Sequence, residues 1–471
     1  MAVRLFLSLF LFLVVFFDAS VKKENASFRE RCRTIYDPSG ILKILILYLV
    51  LEIIGDREMV MSKMISFLFC FAIVSFVVFS LMSVFVDRLR KEYEAKTIFS
   101  LWLLPNLMYF NFYWASSTPI FRPFFVLCID RDDLFHILLI AWFVIASLIL
   151  LWNIVSHLRF RRKLDESLYE IRDERILALW NKKQDELGIR ENKRIGIYTS
   201  PSVNSAMTIG ILQRNCILVL PDKEYSDEEL DMIFSHELVH IIRNDGITKL
   251  YMAICKAFNF YDPFVYSGTR KCSEDIELAC DEIVLSDANE KTRKDYGKLI
   301  LSSAGEERGF TSNLSASGES MKYRLLNILK PDKKRRGAIL LSICALIILF
   351  VPDLFGVAYH SKNAGELLFN GNIDHGSMEI RPKGFSVPGD LYEDPDEEAL
   401  ISYLSGFDVY EIYASQIPDG DSIYILYKMD DIFRSVEFDR HYIVFHEQKK
   451  VRTYYVKEGI DMDLVKKMCE R

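Results

Sequence analysis

Two histidines four residues apart, with a glutamate beside the first, stand at His236-Glu237-Leu238-Val239-His240. On a helix, positions four apart share a face, so both imidazoles can grip one Zn²⁺. Glu237 begins the next turn beside them, where it can take a proton from a water on that ion. Zinc lowers the pKa of such a water to about 7, which makes a nucleophile available at neutral pH. Random placement yields this pattern about once in a hundred chains of such composition. A catalytic zinc needs three protein ligands and one open position. The best third ligand is Glu277, in the run 274–285, where Ile276, Ala279, Cys280, Ile283 and Val284 make an inward face. Asp281, one turn further on the same face, is suited to accept the spare N–H of a ligand imidazole. Glu274 and Glu282 are weaker alternatives, because neither has an Asp at that spacing. Asp245, five residues past His240, either orients a ligand histidine or caps the helix end, and Gly246 suits a helix stop.

The elements that must hold these residues can be read locally. Ser226-Asp-Glu-Glu229 is a capping box that opens a helix, whose apolar face is Leu230, Ile233, Phe234, Leu238, Ile241 and Ile242. Before it, residues 163–187 predict a charged surface helix. Residues 194–199 and 206–220 predict strands turned at Gly210 and Gln213–Asn215 and closed by Pro221. The Ser-rich stretch 311–320 predicts a loop, and flexible backbone of that kind is where self-cleavage would occur.

The rest of the chain sets the surroundings. Hydrophobic residues make up 51% of the 471 and the mean hydropathy is +0.12, which excludes a disordered chain and weighs against a purely soluble enzyme. The net charge of −7 argues against direct nucleic-acid binding. The nine cysteines are scattered without a C-x-x-C, so buried free thiols are expected rather than a disulfide framework.

Four apolar runs, 64–86, 97–114, 134–155 and 338–357, are long enough to cross a bilayer, the second being interrupted by Pro105, Asn106 and Asn111. Basic clusters follow the first run (Arg88, Arg90, Lys91, Lys96) and the third (Arg159, Arg161, Arg162, Lys163). A third cluster precedes the fourth run (Lys330, Lys333, Lys334, Arg335, Arg336). All three fall on one side when the spans alternate, which makes the segment between the third and fourth spans cytoplasmic. Shorter runs at 5–17 and 41–54 suit a signal peptide or short anchor, unless the true start is Met59, Met61 or Met64.

The tail from Ser361 onward carries 13 Lys/Arg against 22 Asp/Glu. Its pattern predicts a small α+β domain, with helices at 396–404 and 461–469 and strands at 409–413, 422–429, 441–446 and 452–456. His441 and His446, an odd number apart on one strand, point to opposite faces and cannot chelate one ion.

From about residue 64 to 357 the chain resembles the BlaR/MecR family of bacterial membrane zinc metallopeptidases, the beta-lactam sensor-transducers and their relatives. The resemblance rests on the H-E-L-x-H helix, Asp262-Pro263, Glu277-Leu-Ala-Cys-Asp281 and the block 322–330, set between the third and fourth spans. It implies a gluzincin-like site, with His236, His240 and Glu277 as zinc ligands and Glu237 as general base. It also implies activation by an outer sensor, cleavage within the protein's own cytoplasmic segment and removal of a transcriptional repressor. By analogy, the strand around Val203, Ser205, Ala206 and Ile209 is where substrate backbone would pair. Departures are Asp262 where the family often has Asn, Ser205-Ala206 where the family often has a Pro nearby, and the tail. The beta-lactam sensors end in a penicillin-binding domain with a nucleophilic S-x-x-K. No serine of this tail has Lys three positions later, and Ser20–Lys23 is an accidental match near the other end. Beta-lactam sensing is therefore not expected.

The expected architecture is a multi-pass α-helical membrane protein of the bacterial cytoplasmic membrane. After an N-terminal extension (1–60) come three spans (61–157), a cytoplasmic α+β zinc peptidase domain with one Zn²⁺ (158–336), a fourth span (337–358) and a small extracytoplasmic α+β domain (359–471). The expected partners are the bilayer, a cytoplasmic protein substrate such as a repressor, the chain itself, and an extracytoplasmic ligand. Two rivals stand beside this reading. One is a housekeeping membrane protease like the CAAX prenyl or heat-shock enzymes, which does not account for an outer acidic domain. The other is a receptor with a structural metal, which would ordinarily use four protein ligands.

Overall fold

The computed structural model describes residues 32, 50, 57–107, 125–130, 132–189, 191–302, 318–330, 334–350, 355–382, 391–392, 395–412, 421–447 and 450–470. The early apolar runs, apart from Val50, and the Ser-rich stretch up to residue 317 lie outside them.

Helix α1 (Arg57–Glu92) covers the first apolar run, and α2 (Ala95–Trp102) begins the second. The second run is interrupted where its Pro105 stands: a 3₁₀ turn, Leu104–Leu107, follows α2, as expected where a ring removes a backbone donor. After β1 (Phe125–Cys128) comes α3 (Asp132–Asp165). The described residues thus contain two helices long and apolar enough to cross a membrane, Phe69–Glu92 and Ile137–Asp165. They differ in setting. Phe79 of α1 packs 5.6 Å from Trp102, whereas only 6% of the apolar window of α3 is buried.

The predicted single helix over 163–187 is broken. Beyond α3 the chain forms β2 (Tyr169–Glu170), paired antiparallel with β3 (Gly196–Ser200), and then α4 (Glu174–Glu186), capped by Asp173. Strands β4 (Met207–Ile209) and β5 (Ile217–Pro221) complete a sheet in the order β2-β3-β5-β4, so β4 is an edge. Trp180, Leu218, Leu220, Leu230, Phe234 and Leu238 share one core, which fixes α5 (Asp227–Arg243) against that sheet. The Ser226–Glu229 capping box is formed in both directions.

The stop of α5 is not Gly246 but Asn244, in the left-handed conformation at φ 60°; Asn tolerates that region better than most residues. Gly246 instead lies in the first turn of α6 (Asp245–Phe258), where a Cβ would sit 2.6 Å from the Gly210 carbonyl oxygen. A glycine there lets α6 close against the β4–β5 turn.

Helix α7 (Pro263–Val284) starts with Asp262 accepting from the Phe264 N–H and Pro263 in the first turn. It crosses α1 and α2. Asp275, fully buried, accepts from Arg90 Nε (2.7 Å) and Trp102 Nε1 (2.8 Å). Helices α8 (Glu290–Ser302) and α9 (Gly318–Leu329) pack beside it, and α10 (Ala338–Phe350) begins the last apolar run. That run does not stay helical to residue 357, because strand β6 (Phe355–Asn363) has started by then. The basic stretches at the end of α1 and before α10 meet, with the Arg335 N–H donating to Glu92 O at 2.8 Å.

The tail contains the predicted helices α12 (Glu397–Ser405) and α13 (Met462–Cys469) and strands β8 (Asp408–Ile412), β9 (Ile423–Met429), β11 (Tyr442–Glu447) and β12 (Lys450–Val456). It also contains elements the pattern did not announce: β6, α11 (Ala364–Leu368), β7 (Ile373–Pro382) and β10 (Ile432–Phe438). The sheet order is β1-β6-β8-β12-β11-β10-β9-β7. Its first strand comes from the segment between α2 and α3: Phe125–Cys128 pairs in parallel with Phe355–Ala358. Asp130, just beyond it, accepts from the Tyr410 hydroxyl and pairs with Lys457 at 3.2 Å. His441 precedes β11 and stacks on Tyr455, while His446 lies opposite Ser435 and Val451; they share no site.

Candidate metal centre

Helix α5 projects His236 and His240 from one face, with ring centroids 4.8 Å apart. Each ring has its Nδ1 engaged. His240 Nδ1 lies 2.6 Å from Asp245 Oδ2, and Arg243 binds the same carboxylate with both Nε (2.7 Å) and Nη2 (2.5 Å). His236 Nδ1 lies 2.8 Å from the Tyr296 hydroxyl, which is itself 2.7 Å from Asp281 Oδ1. Since the carboxylate can only accept, Tyr296 donates to Asp281 and accepts from His236. Both Nδ1 atoms therefore carry the proton, and both Nε2 lone pairs are free.

Those lone pairs face each other at 3.2 Å. Glu277, from α7, closes the triangle: Oε2 is 3.4 Å from His236 Nε2, and Oε1 is 3.7 Å from His240 Nε2. Glu277 Oε2 is buried and accepts no hydrogen bond among the described residues, although Arg324 Nη1 stands 3.4 Å away. Three acceptor atoms converging with no donor between them repel one another unless a cation joins them. Ligands about 2.0–2.1 Å from a tetrahedral zinc are spaced about 3.3 Å apart, so the residues present fit that ion. Cys280 offers a second donor set, its Sγ lying within 4.8 Å of donor atoms on both histidines. That sulfur sits 3.3 Å from His236 Nδ1, the nitrogen already facing Tyr296, on the side of the ring away from Glu277.

The Glu277 carboxyl lies below the usual range despite the burial that would raise it, and Arg324, 3.4 Å away, favours its ionised form. Asp245 behaves likewise: burial is overcome by Arg243 and His240. Glu237 goes the other way, pushed up by full burial. The Thr208 hydroxyl of β4 donates to Glu237 Oε2 at 2.7 Å, which fixes the carboxylate beside the two histidines.

The structure thus brings His236, Glu237, His240, Glu277, Asp281 and Asp245 together. Asp281 approaches His236 only to 3.7 Å directly and reaches it through Tyr296. Glu274 and Glu282 are engaged elsewhere, with Arg90 at 3.2 Å and with the Ala95 N–H at 2.9 Å. Val203, Ser205 and Ala206 lie buried just before β4, and Val203 and Ile209 pack with Leu164, Met207 and Val219. Their alternation leaves Thr208 as the strand's contact with Glu237. Sequence reasoning missed Thr208, Tyr296, Arg243 and Arg324. Arg324 grips Asp281 with Nε (2.5 Å) and Nη2 (2.8 Å), and its one signal was its place in the block 322–330.

Two histidines and a carboxylate thus converge on one point within a mixed helix–sheet domain. Residues 126–328 match the family model described as BlaR1 peptidase M56. The regulatory protein BlaR1 of Bacillus licheniformis is 25% identical over 184 residues, 39% of this chain and 30% of that protein. The methicillin resistance mecR1 protein of Staphylococcus aureus is 23% identical over 292 residues, 58% of this chain and 47% of that protein. The chain spans less than half the length of these curated relatives. Over residues 126–328 the chain thus matches a BlaR/MecR-type peptidase family.

Proposed function

We propose that the chain is a membrane-embedded, zinc-dependent endopeptidase that acts as a signal transducer. In this reading His236, His240 and Glu277 hold one Zn²⁺ and Glu237 is the general base. The convergence within 3.2–3.7 Å of two free Nε2 atoms and the Glu277 carboxylate, whose Oε2 accepts no hydrogen bond among the described residues, carries it. Cys280 is set aside as a ligand because its sulfur addresses the wrong nitrogen of His236.

Zinc bound there supplies Lewis acidity, polarising a peptide carbonyl and acidifying a water. The chain's own residues do the rest. Thr208 holds Glu237 Oε2, so Oε1 takes the proton from the attacking water and returns it to the leaving amine. Asp245, and Asp281 through Tyr296, keep each imidazole in the tautomer that binds metal. The gluzincin-like domain lies at 158–336 on the cytoplasmic side of a multi-pass chain, and the tail from 359 lies outside. The substrate is a cytoplasmic protein, such as a repressor, or the chain itself.

The tail's pairing with β1 supports a transducer over a housekeeping protease, because a strand leading directly into α3 is part of the tail sheet. Replacing Glu237 with Gln keeps the shape and removes the base. The purified variant should bind one zinc per chain as the wild type does, while peptide hydrolysis falls by about 10²-fold or more. Undiminished turnover in Glu237→Gln overturns the assignment.

A further inference from the structure

Beside the metal centre a small cleft opens between the β4–β5 turn and the junction of α5 with α6, with about 30 Å³ of room for solvent. His240 and Asp245 form one wall, Thr208 and Gly210 another, and Gln213, Asn244 and Lys249 complete the lining. The last three are half-buried and offer two amide donors and an ammonium. Among the described residues none of their side chains has a hydrogen-bond partner, and Asn244 caps nothing with its amide.

The charges around the cleft are unevenly matched. Asp245 is held by Arg243, and Glu277 has Arg324 3.4 Å away. Glu237, the other acid facing Lys249, is bonded to Thr208. Lys249 has no carboxylate within ion-pair distance among the described residues; burial lowers its pKa against the pull of Glu277, Asp245 and Glu237, so an incoming carboxylate would complete the pairing of its ammonium.

We infer that this cleft is a specificity subsite, in which Lys249, flanked by Gln213 and Asn244, binds the carboxylate of an Asp or Glu side chain next to the scissile bond. The inference rests on the peptidase reading above. An acidic side chain gains a charge-assisted hydrogen bond there, whereas its amide gains only a neutral one and a lysine meets like charge.

The test uses the full chain with zinc in detergent and quenched peptides that differ only in carrying Asp, Asn or Lys beside the cleavage site. The wild type should favour Asp over Asn by about tenfold in kcat/KM, and over Lys by more, with the preference shrinking in high salt. Lys249→Met should level Asp and Asn, and Lys249→Glu should invert the order of Asp and Lys. Binding of the same peptides to Glu237→Gln, read by fluorescence anisotropy, gives the charge preference without turnover. Cleavage by wild type with no Asp preference, or a preference unchanged in both Lys249 variants, overturns the subsite and leaves the peptidase reading standing. No cleavage of any peptide, with charge-dependent binding that Lys249→Met abolishes, overturns the peptidase reading and keeps the subsite.

Discussion

Tyr296→Phe removes one oxygen from the buried centre and leaves the ring in place. That oxygen accepts from His236 Nδ1 at 2.8 Å and donates to Asp281 Oδ1 at 2.7 Å. Its two partners are affected differently. Asp281 keeps both bonds from Arg324 and so stays satisfied. His236 keeps only the Cys280 thiol at 3.3 Å, a weak partner that does not fix the tautomer. The buried N–H costs about 1–3 kcal/mol when unpaired, and the proton can move to Nε2 instead. Either outcome opposes binding of a cation at Nε2. Loss of such an outer partner typically lowers metal affinity by about 10–100-fold, or about 1.4–2.7 kcal/mol. Competition with a chelator of known affinity, on the full chain in detergent, reads this directly. Tyr427→Phe is the control, because it deletes a buried hydroxyl that donates to Leu368 O in the tail. Affinity within twofold of wild type for Tyr296→Phe would refute the claim that Tyr296 sets the His236 tautomer.

Two other substitutions probe the helices that carry the centre. Asp275→Asn weakens the acceptor shared by Arg90 and Trp102, two residues before Glu277. Breaking a buried pair costs about 3–5 kcal/mol; the low end applies because Glu274 still pairs with Arg90 at 3.2 Å, and a thermal melt should show a clear fall. The Glu282 carboxyl is pushed by burial up to about 7, against the pull of Lys334 and the Ala95 N–H. An acid whose pKa is raised on folding contributes fully below its unfolded value of 4.5 and loses that contribution as pH rises through about 7. Glu282→Gln should therefore melt close to wild type at pH 5 and above it at pH 8. A gap that is constant across that window counts against the shift.

The parts legible in the sequence are those whose cause is local. The capping box at Ser226, the four-residue spacing of the histidines and the apolar face of α5 all lie within one helix, so spacing alone places them. Glu277 was accessible because Asp281 follows it one turn later on the same face. Tyr296 and Arg324 were not, because they come 60 and 88 positions after His236, and side-chain periodicity says nothing about which distant helix supplies a partner. The helix over 163–187 failed for a related reason: charge and apolar spacing hid the break at Ser167, whose hydroxyl bonds back to Leu164 O and to Ser200 on β3. β1 is a four-residue strand whose partner begins 230 positions later, and nothing in its own composition marks it. Asn244 displaced Gly246 as the helix stop because the glycine was needed for its lack of a Cβ against Gly210.

The ion pairs around the centre make sense as positioning devices rather than as sources of stability. Arg243–Asp245 and Arg324–Asp281 are almost entirely buried, and taking such charges out of water costs several kcal/mol per ion. Well-packed apolar side chains of similar volume would often be as stable. What they could not do is hold two imidazoles with their Nδ1 atoms turned away from each other. Each arginine locks a carboxylate, each carboxylate fixes an Nδ1–H directly or through Tyr296, and both Nε2 lone pairs are left facing Glu277. These hydrogen bonds aim all three donors at one point, so a cation bound there meets ligands that need little reorganisation. That preorganisation is the physical return on the buried charge, and it is why changing one hydroxyl at Tyr296 should be felt in metal affinity well before it is felt in the fold.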